Sequence, residues 1–197
     1  RSCITGPRII SFLQKPVKTN ELLDTLMILC QNRAGAIAVL RDSYVKTFAK
    51  VLQTSLFSLV GAEAETELEV DEEHTLDLSG VAVIIGLTGY PMGRSIVYMD
   101  TETMYKFARA MLGLEAAEEL SEADACDAVE EAANIILGRG VSAINDIFKD
   151  KEMRITPPGT ICGSDIRIAN PKLTSFRVIA KTVFGDICMN IGFAEGE

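Results

Sequence analysis

A single histidine, His74, serves the whole of this 197-residue sequence, and it lies in an acidic, turn-like stretch that reads as surface. With one imidazole, neither a His-based metal centre nor a Ser-His-Asp triad is readily assembled. Long apolar runs are also missing. The longest, Val81 to Leu87, falls far short of the roughly 20 residues that span a bilayer, and no basic start followed by an apolar core marks a secretory leader. Cysteine pairs of the CxxC kind are absent: Cys3, Cys30, Cys126, Cys162 and Cys188 form an odd, scattered set that fits a reducing cytoplasm. A basic stripe is lacking too. With 28 acids against 19 bases and a net charge of −9, the chain has no run of Lys or Arg that would neutralise successive phosphates, which argues against nucleic acid as a partner. The expectation is a cytoplasmic protein that binds no metal or organic cofactor of its own and has neither a membrane nor nucleic acid as a partner.

What is present is enough apolar residue, 48% of the chain, to bury one main domain with room for an appendage. The acids concentrate at Glu63 to Glu73 and Glu115 to Glu131, runs that are most often solvated faces but that also suit a partner with a basic rim. The sequence begins at Arg1, as expected of a piece of a longer gene product. From Ile9 to Leu13 it reads as a short buried strand, stopped by Pro16 before a helix with Thr19 as N-cap and Leu22, Leu23, Leu26, Met27 and Cys30 on its apolar face. Asn32 to Gly35 reads as a linker, so that residues 33–41 hold the linker and the start of a long helix.

In that helix Ile37, Leu40, Tyr44, Phe48, Val51, Leu52 and Leu56 recur at three- and four-residue steps, with Gly61 after its end. Three antiparallel strands follow: one with Leu68 and Val70, one from Leu76 through Ser79-Gly80 to Leu87, and one from Ser95 to Met99, after a turn at Gly89-Tyr90-Pro91. Asp100 or Thr101 opens a helix to about Leu112, stopped by Gly113. A second long helix runs from about Ser121 to Phe148, then a strand ends near Thr156, a Pro-Pro-Gly loop follows, and a hairpin spans Ser175 to Ala194 with Gly185-Asp186 as its turn signal. Helix followed by strands thus occurs twice, a weak internal two-fold repeat. The expected fold class is α+β, an antiparallel β-sheet covered by long helices. Gly89 to Ser95 carries only a faint likeness to a phosphate loop, without its lysine and between strands. Met92, Met99, Met104 and Met111 read as core packing.

On the second long helix Asp127, Glu131 and Asn134 stand at i, i+4 and i+7, which places them within about 60° of one another at about 100° per residue. Gly138 continues that polar stripe without a side chain, leaving room for another protein to approach. The pattern Asp127-x3-Glu131-x2-Asn134, then 22 residues, then Pro157, resembles the signature of the CheC, CheX and FliY chemotaxis phosphatases. Residues 42–197 also resemble this family in their order of elements, most of all CheX. The matching stretch of the first long helix, Ser43, Thr47 and Lys50, has neither Glu nor Asn, so one active site per chain is implied.

The resemblance implies hydrolysis of the aspartyl phosphate of a CheY-type response-regulator receiver. Asn134 would orient the attacking water, and Glu131 would pair with the receiver's active-site lysine. Asp127 and Pro157 would support these two from the helix surface and from the backbone. Mg²⁺ would belong to the partner receiver, and a homodimer through strands at the sheet edge is implied as in CheX. Residues 4–31, with Lys15-Pro16 before a helix opening Glu21-Leu22-Leu23, resemble the C-terminal end of a receiver, in which Lys15 would be the phosphoryl-contacting lysine. Residues 1–32 are thus expected to be the remnant of a receiver ahead of the main domain. With its phosphoacceptor absent, this stretch cannot be phosphorylated alone. The competing reading keeps the fold and the docking helix but makes the domain a non-catalytic binding or dimerisation output module.

Overall fold

The structure is a computed structural model that describes residues 34–73, 75–115, 118–149, 152–169 and 173–194. Lys15 and the rest of the receiver-like stretch 1–32, and also His74, lie outside the described residues. The chain divides into two compact units, residues 1–40 and 41–197; within the first, residues 34–40 are helical.

The second unit opens with a π-helical turn, Arg41–Val45, followed by helix α1, Lys46–Val60. The expected periodicity is met where it matters: Tyr44, Phe48, Leu52 and Leu56 are buried. Gly61 ends the helix in the left-handed region, at φ 67°, where a side chain would be strained. Strands β1 (Glu65–Asp71), β2 (Thr75–Gly89) and β3 (Gly93–Asp100) come next, then helix α2, Thr101–Leu112. Asp100 caps α2 by accepting the Thr103 N–H at 2.8 Å, and Gly113 closes it. Helix α3 is Glu122–Ile147, followed by β4 (Met153–Ile155), β5 (Gly159–Ala169), β6 (Leu173–Thr182) and β7 (Gly185–Ala194).

All strand pairs are antiparallel, in the order β1-β6-β7-β3-β2-β4, with β5 also paired to β2. Strand alternation divides the sheet into two faces. Val81, Val83, Ile85 and Leu87 of β2, with Val178 of β6 and Met189, Ile191 and Phe193 of β7, are buried on the face toward the helices. On the other face the β2–β5 pairing shifts register between Leu78 and Gly80, with the extra residue on β5. There Leu76 and Leu78 join Ile166 and Ile168 over Ala82 and Ile96 in a second, smaller apolar cluster. Long β2 therefore contributes to both cores.

Four expectations need correction. Strand β1 does not sit beside β2 but at the far edge on β6, where Glu69 meets Arg177 directly across and Glu67 reaches Lys181 diagonally at 2.6 Å; opposite charges directly and diagonally across strands favour that register. Strand β5 was not expected at all, because Pro157-Pro158-Gly159 and Gly163-Ser164-Asp165 read as loop chemistry while Ile166 and Ile168, the buried pair within it, are few. The β6–β7 turn is Val183-Phe184, flanked by paired Thr182 and Gly185. Gly185 is needed for another reason: a Cβ there would stand 2.1 Å from Thr103 Oγ1 of α2. Of the methionines read as core, Met99 and Met104 are buried, but Met92 is 59% exposed.

Candidate active site

Helix α3 starts where Ser121 Oγ accepts the Asp124 N–H at 3.1 Å, with Glu122 and Asp124 in the first turn where the helix dipole favours acids. Its buried stripe includes Val129, Ile136, Leu137, Val141 and Ile144. Burial of each contributes roughly 1.5–3 kcal/mol, which outweighs the loss of about 1 kcal/mol at each of Gly138 and Gly140. The two glycines differ in kind. A Cβ on Gly140 would lie 2.4 Å from Phe48 Cδ1, so this glycine lets the Phe48 ring of α1 press on the α3 backbone. A Cβ on Gly138 would meet nothing nearer than Ile155 Cδ1 at 3.9 Å, so the fold itself does not require glycine there.

The opposite side of α3 carries the polar stripe. Asp127 and Glu131 are exposed and Asn134 is half-buried. Among the described residues, none of these three side chains has a hydrogen-bond or ion-pair partner, so their donors and acceptors are available to another molecule. Among the described residues no group of three or more His, Cys, Asp or Glu is placed to hold a metal ion.

Pro157 is brought to this stripe by a segment that runs antiparallel along the flank of α3. At the C-terminal end Asn145 mimics a neighbouring strand: its Nδ2 donates to the Met153 carbonyl and its Oδ1 accepts the Met153 N–H, both at 2.9 Å. One rung further Ile155 stands beside Gly138. At the other end Thr160 Oγ1 donates to Glu130, and Cys162 is bonded to Cys126. Pro157, between Ile155 and Thr160, is therefore level with the helix between Gly138 and Glu130, the span that carries Glu131 and Asn134. Its backbone is fixed through Thr156. That residue's N–H donates to the Gly86 carbonyl at 2.9 Å, its Oγ1 accepts the Gly86 N–H at 2.9 Å, and the same hydroxyl donates to the Pro157 carbonyl at 3.1 Å.

Sequence reasoning thus named the stripe and the proline but missed what joins them: Thr156, Thr160, Glu130, Asn145 and the cysteine pair. The scattered cysteines, read as the mark of a reducing compartment, hid a bonded pair 36 residues apart. A signal was there, since Cys126 precedes Glu131 by five residues and Cys162 follows Pro157 by five. The stretch of the first helix set against this stripe, Ser43, Thr47 and Lys50, is engaged within the helix at Thr47, whose hydroxyl donates to the Ser43 carbonyl at 3.4 Å.

Residues 81–181 match the family described as chemotaxis phosphatase CheX. No curated protein sequence matches the chain significantly. Among solved structures, the fold is similar to a chemotaxis protein CheX from Desulfovibrio desulfuricans, with a TM-score of 0.68 at 21% identity over 76% of this chain and 97% of that one. It is also similar to a CheC-like superfamily protein from a Shewanella species, with a TM-score of 0.66 at 18% identity over 78% of this chain and 98% of that one. The CheX-CheY-BeF3-Mg²⁺ complex from Borrelia burgdorferi matches with a TM-score of 0.65 at 26% identity, over 77% of this chain and 98% of that one.

Proposed function

Because the chain belongs to the CheX family of chemotaxis phosphatases, its family model covering more than half of the sequence, we propose that it hydrolyses the aspartyl phosphate of a CheY-type receiver with Glu131 and Asn134. The observation that carries this reading is the pair of unengaged side chains on one face of helix α3, level with Pro157. A similar protein has been captured with CheY, BeF3 and Mg²⁺, which supports a receiver as the partner.

An amide has no useful acid-base chemistry near neutral pH, so Asn134 acts by position. It hydrogen-bonds a water and holds it in line with the bond between phosphorus and the aspartyl oxygen, which removes the entropic cost of finding that geometry. Glu131, one turn away and exposed, pairs with the receiver's lysine and fixes the register of Asn134 over the phosphoryl group. The Mg²⁺ expected in the receiver neutralises charge on the phosphoryl oxygens. Gly138, which the fold does not require, leaves the receiver space to approach. The unit acts in the cytoplasm, where receivers are found. A second copy would pair along a sheet edge; among the described strands β5 is bonded only to β2 and so offers one.

The test is phosphate release from a phosphorylated CheY-type receiver with its Mg²⁺. Acceleration by the chain is expected to vanish in Asn134→Ala while binding persists, and Glu131→Ala is expected to weaken both. Binding without acceleration across several receivers would instead identify a non-catalytic output module, and an Asn134→Ala variant of full activity would overturn the assignment of the water-orienting residue.

A further inference from the structure

Cys126 and Cys162 occupy a position in the site that no role assigned so far uses. Cys126 lies on α3, one turn before Glu130 and next to Asp127, and is 7% exposed, with its sulfur 3.9 Å from Met104 Sδ on α2. Cys162 lies on β5 and is half-buried. It pairs across the sheet with Val81, immediately before Gly163 and the register irregularity at which β5 turns toward the outer apolar cluster. The bonded sulfurs therefore tie the first half of the docking helix to the point where β5 bends. The Cα atoms are 6.7 Å apart, within the reach of a disulfide.

We propose that this pair is a reversible redox site that sets how firmly the start of α3, through Asp127, is held, and thereby how well the helix docks the receiver; the second part rests on the phosphatase reading above. The chemistry is thiol–disulfide exchange with a small disulfide of the glutathione class. The Cys162 thiolate, the more accessible of the two, attacks one sulfur of the small disulfide, whose S–S bond breaks and releases one small thiolate. The Cys126 thiolate then attacks the Cys162 sulfur, closing the protein disulfide and releasing the second small thiolate. Two electrons pass from the cysteines to the small disulfide, and the two thiol protons pass to the released thiolates. A dithiol reverses the steps.

Reduction leaves the Thr160–Glu130 and Asn145–Met153 contacts in place, so the half of α3 that carries Asn134 stays anchored, while the half before Glu130 loses its covalent tie. The consequence falls on docking and not on the chemical step. Coupling is reciprocal, so a bound receiver in turn favours the closed disulfide. Cys188 offers an internal control. It is a free cysteine beside Tyr98 of β3, and burial pushes its thiol pKa up, which keeps it poor in thiolate.

The experiment incubates the full chain with oxidised glutathione or with dithiothreitol, maps the cysteines by alkylation and peptide mass, follows amide hydrogen exchange over residues 122–134, and measures phosphate release against receiver concentration. Expected are a Cys126–Cys162 cross-linked peptide in the oxidised chain only, slower exchange over 122–134 in that form, and a half-saturating receiver concentration that rises about fivefold on reduction with little change in maximal rate. Cys162→Ala and Cys126→Ala should match the reduced chain in both buffers, and Cys188→Ala should respond as the parent does. Alkylation of both cysteines in the oxidised chain, or an unchanged redox response in Cys162→Ala, would overturn the proposal. Should no receiver be dephosphorylated, the cross-link and the exchange difference still decide the tether, and only the phosphatase reading falls.

Discussion

Two acidic stretches of this chain look alike in sequence and are used in opposite ways. In β1 and the turn after it, Glu67 is paired with Lys181 and Glu69 with Arg177, Glu73 approaches Arg177 at 3.9 Å, and Asp71 accepts from Asn190. These acids are spent on fixing an edge strand to β6 and β7. Along the start of α3 the acids meet hydroxyls and backbone: Asp124 accepts from Ser121, Glu130 from Thr160, and Glu118 from the Glu115 N–H. The nearby Arg109 donates to the carbonyls of Glu115 and Glu118 instead of to a carboxylate. Charge that is already neutralised inside the molecule attracts no partner, whereas unpaired charge does. On the phosphatase reading proposed above, the second stretch, in which Asp127 and Glu131 have no partner among the described residues, is the one that faces the receiver.

Reversing the free charge should give the largest effect. Glu131→Lys is expected to weaken receiver binding by about 2 kcal/mol or more, roughly thirtyfold, as removal of one partner from a docked ion pair does. Titration calorimetry reads this, and unchanged affinity would erase the distinction between the two stretches. Next is the support of the helix that presents these acids. Gly140→Ala should cost about 1–2 kcal/mol in urea unfolding, because the inserted methyl meets the buried Phe48 ring, a cost of about 1–3 kcal/mol from overpacking set against a partial gain in helix propensity. Stability equal to the parent would mean that Phe48 shifts freely. The smallest effect is expected in the spent stretch: Glu67→Gln with Glu69→Gln should lower stability by about 1 kcal/mol or less and leave receiver affinity within error. A loss of affinity there would show that β1, too, faces the partner.

Much of this fold was legible because its signals are local. The caps at Asp100 and Ser121 and the stop at Gly113 lie where short-range chemistry puts them, since a hydroxyl or carboxylate satisfies free N–H groups only at a helix start and glycine alone enters the left-handed region without cost. The stripe of Asp127, Glu131 and Asn134 followed from helical spacing, and its link to Pro157 was visible only through family resemblance. Strand β5 was not legible, because its register is held by β2 and turn residues stand at its start and in its middle. Nor was the full reason for Gly185, which lies at φ 133° beside the turn and also leaves room for the Thr103 side chain of α2.

The sequence by itself therefore determined the helices, their ends and the face each presents, because these depend on neighbours within a few residues. Only the tertiary structure decided which acids are neutralised, which cysteines meet, and that Thr156, Thr160 and Asn145 hold the proline loop level with the two candidate catalytic side chains. Such contacts join residues far apart in the chain, and no local preference encodes the distance between them.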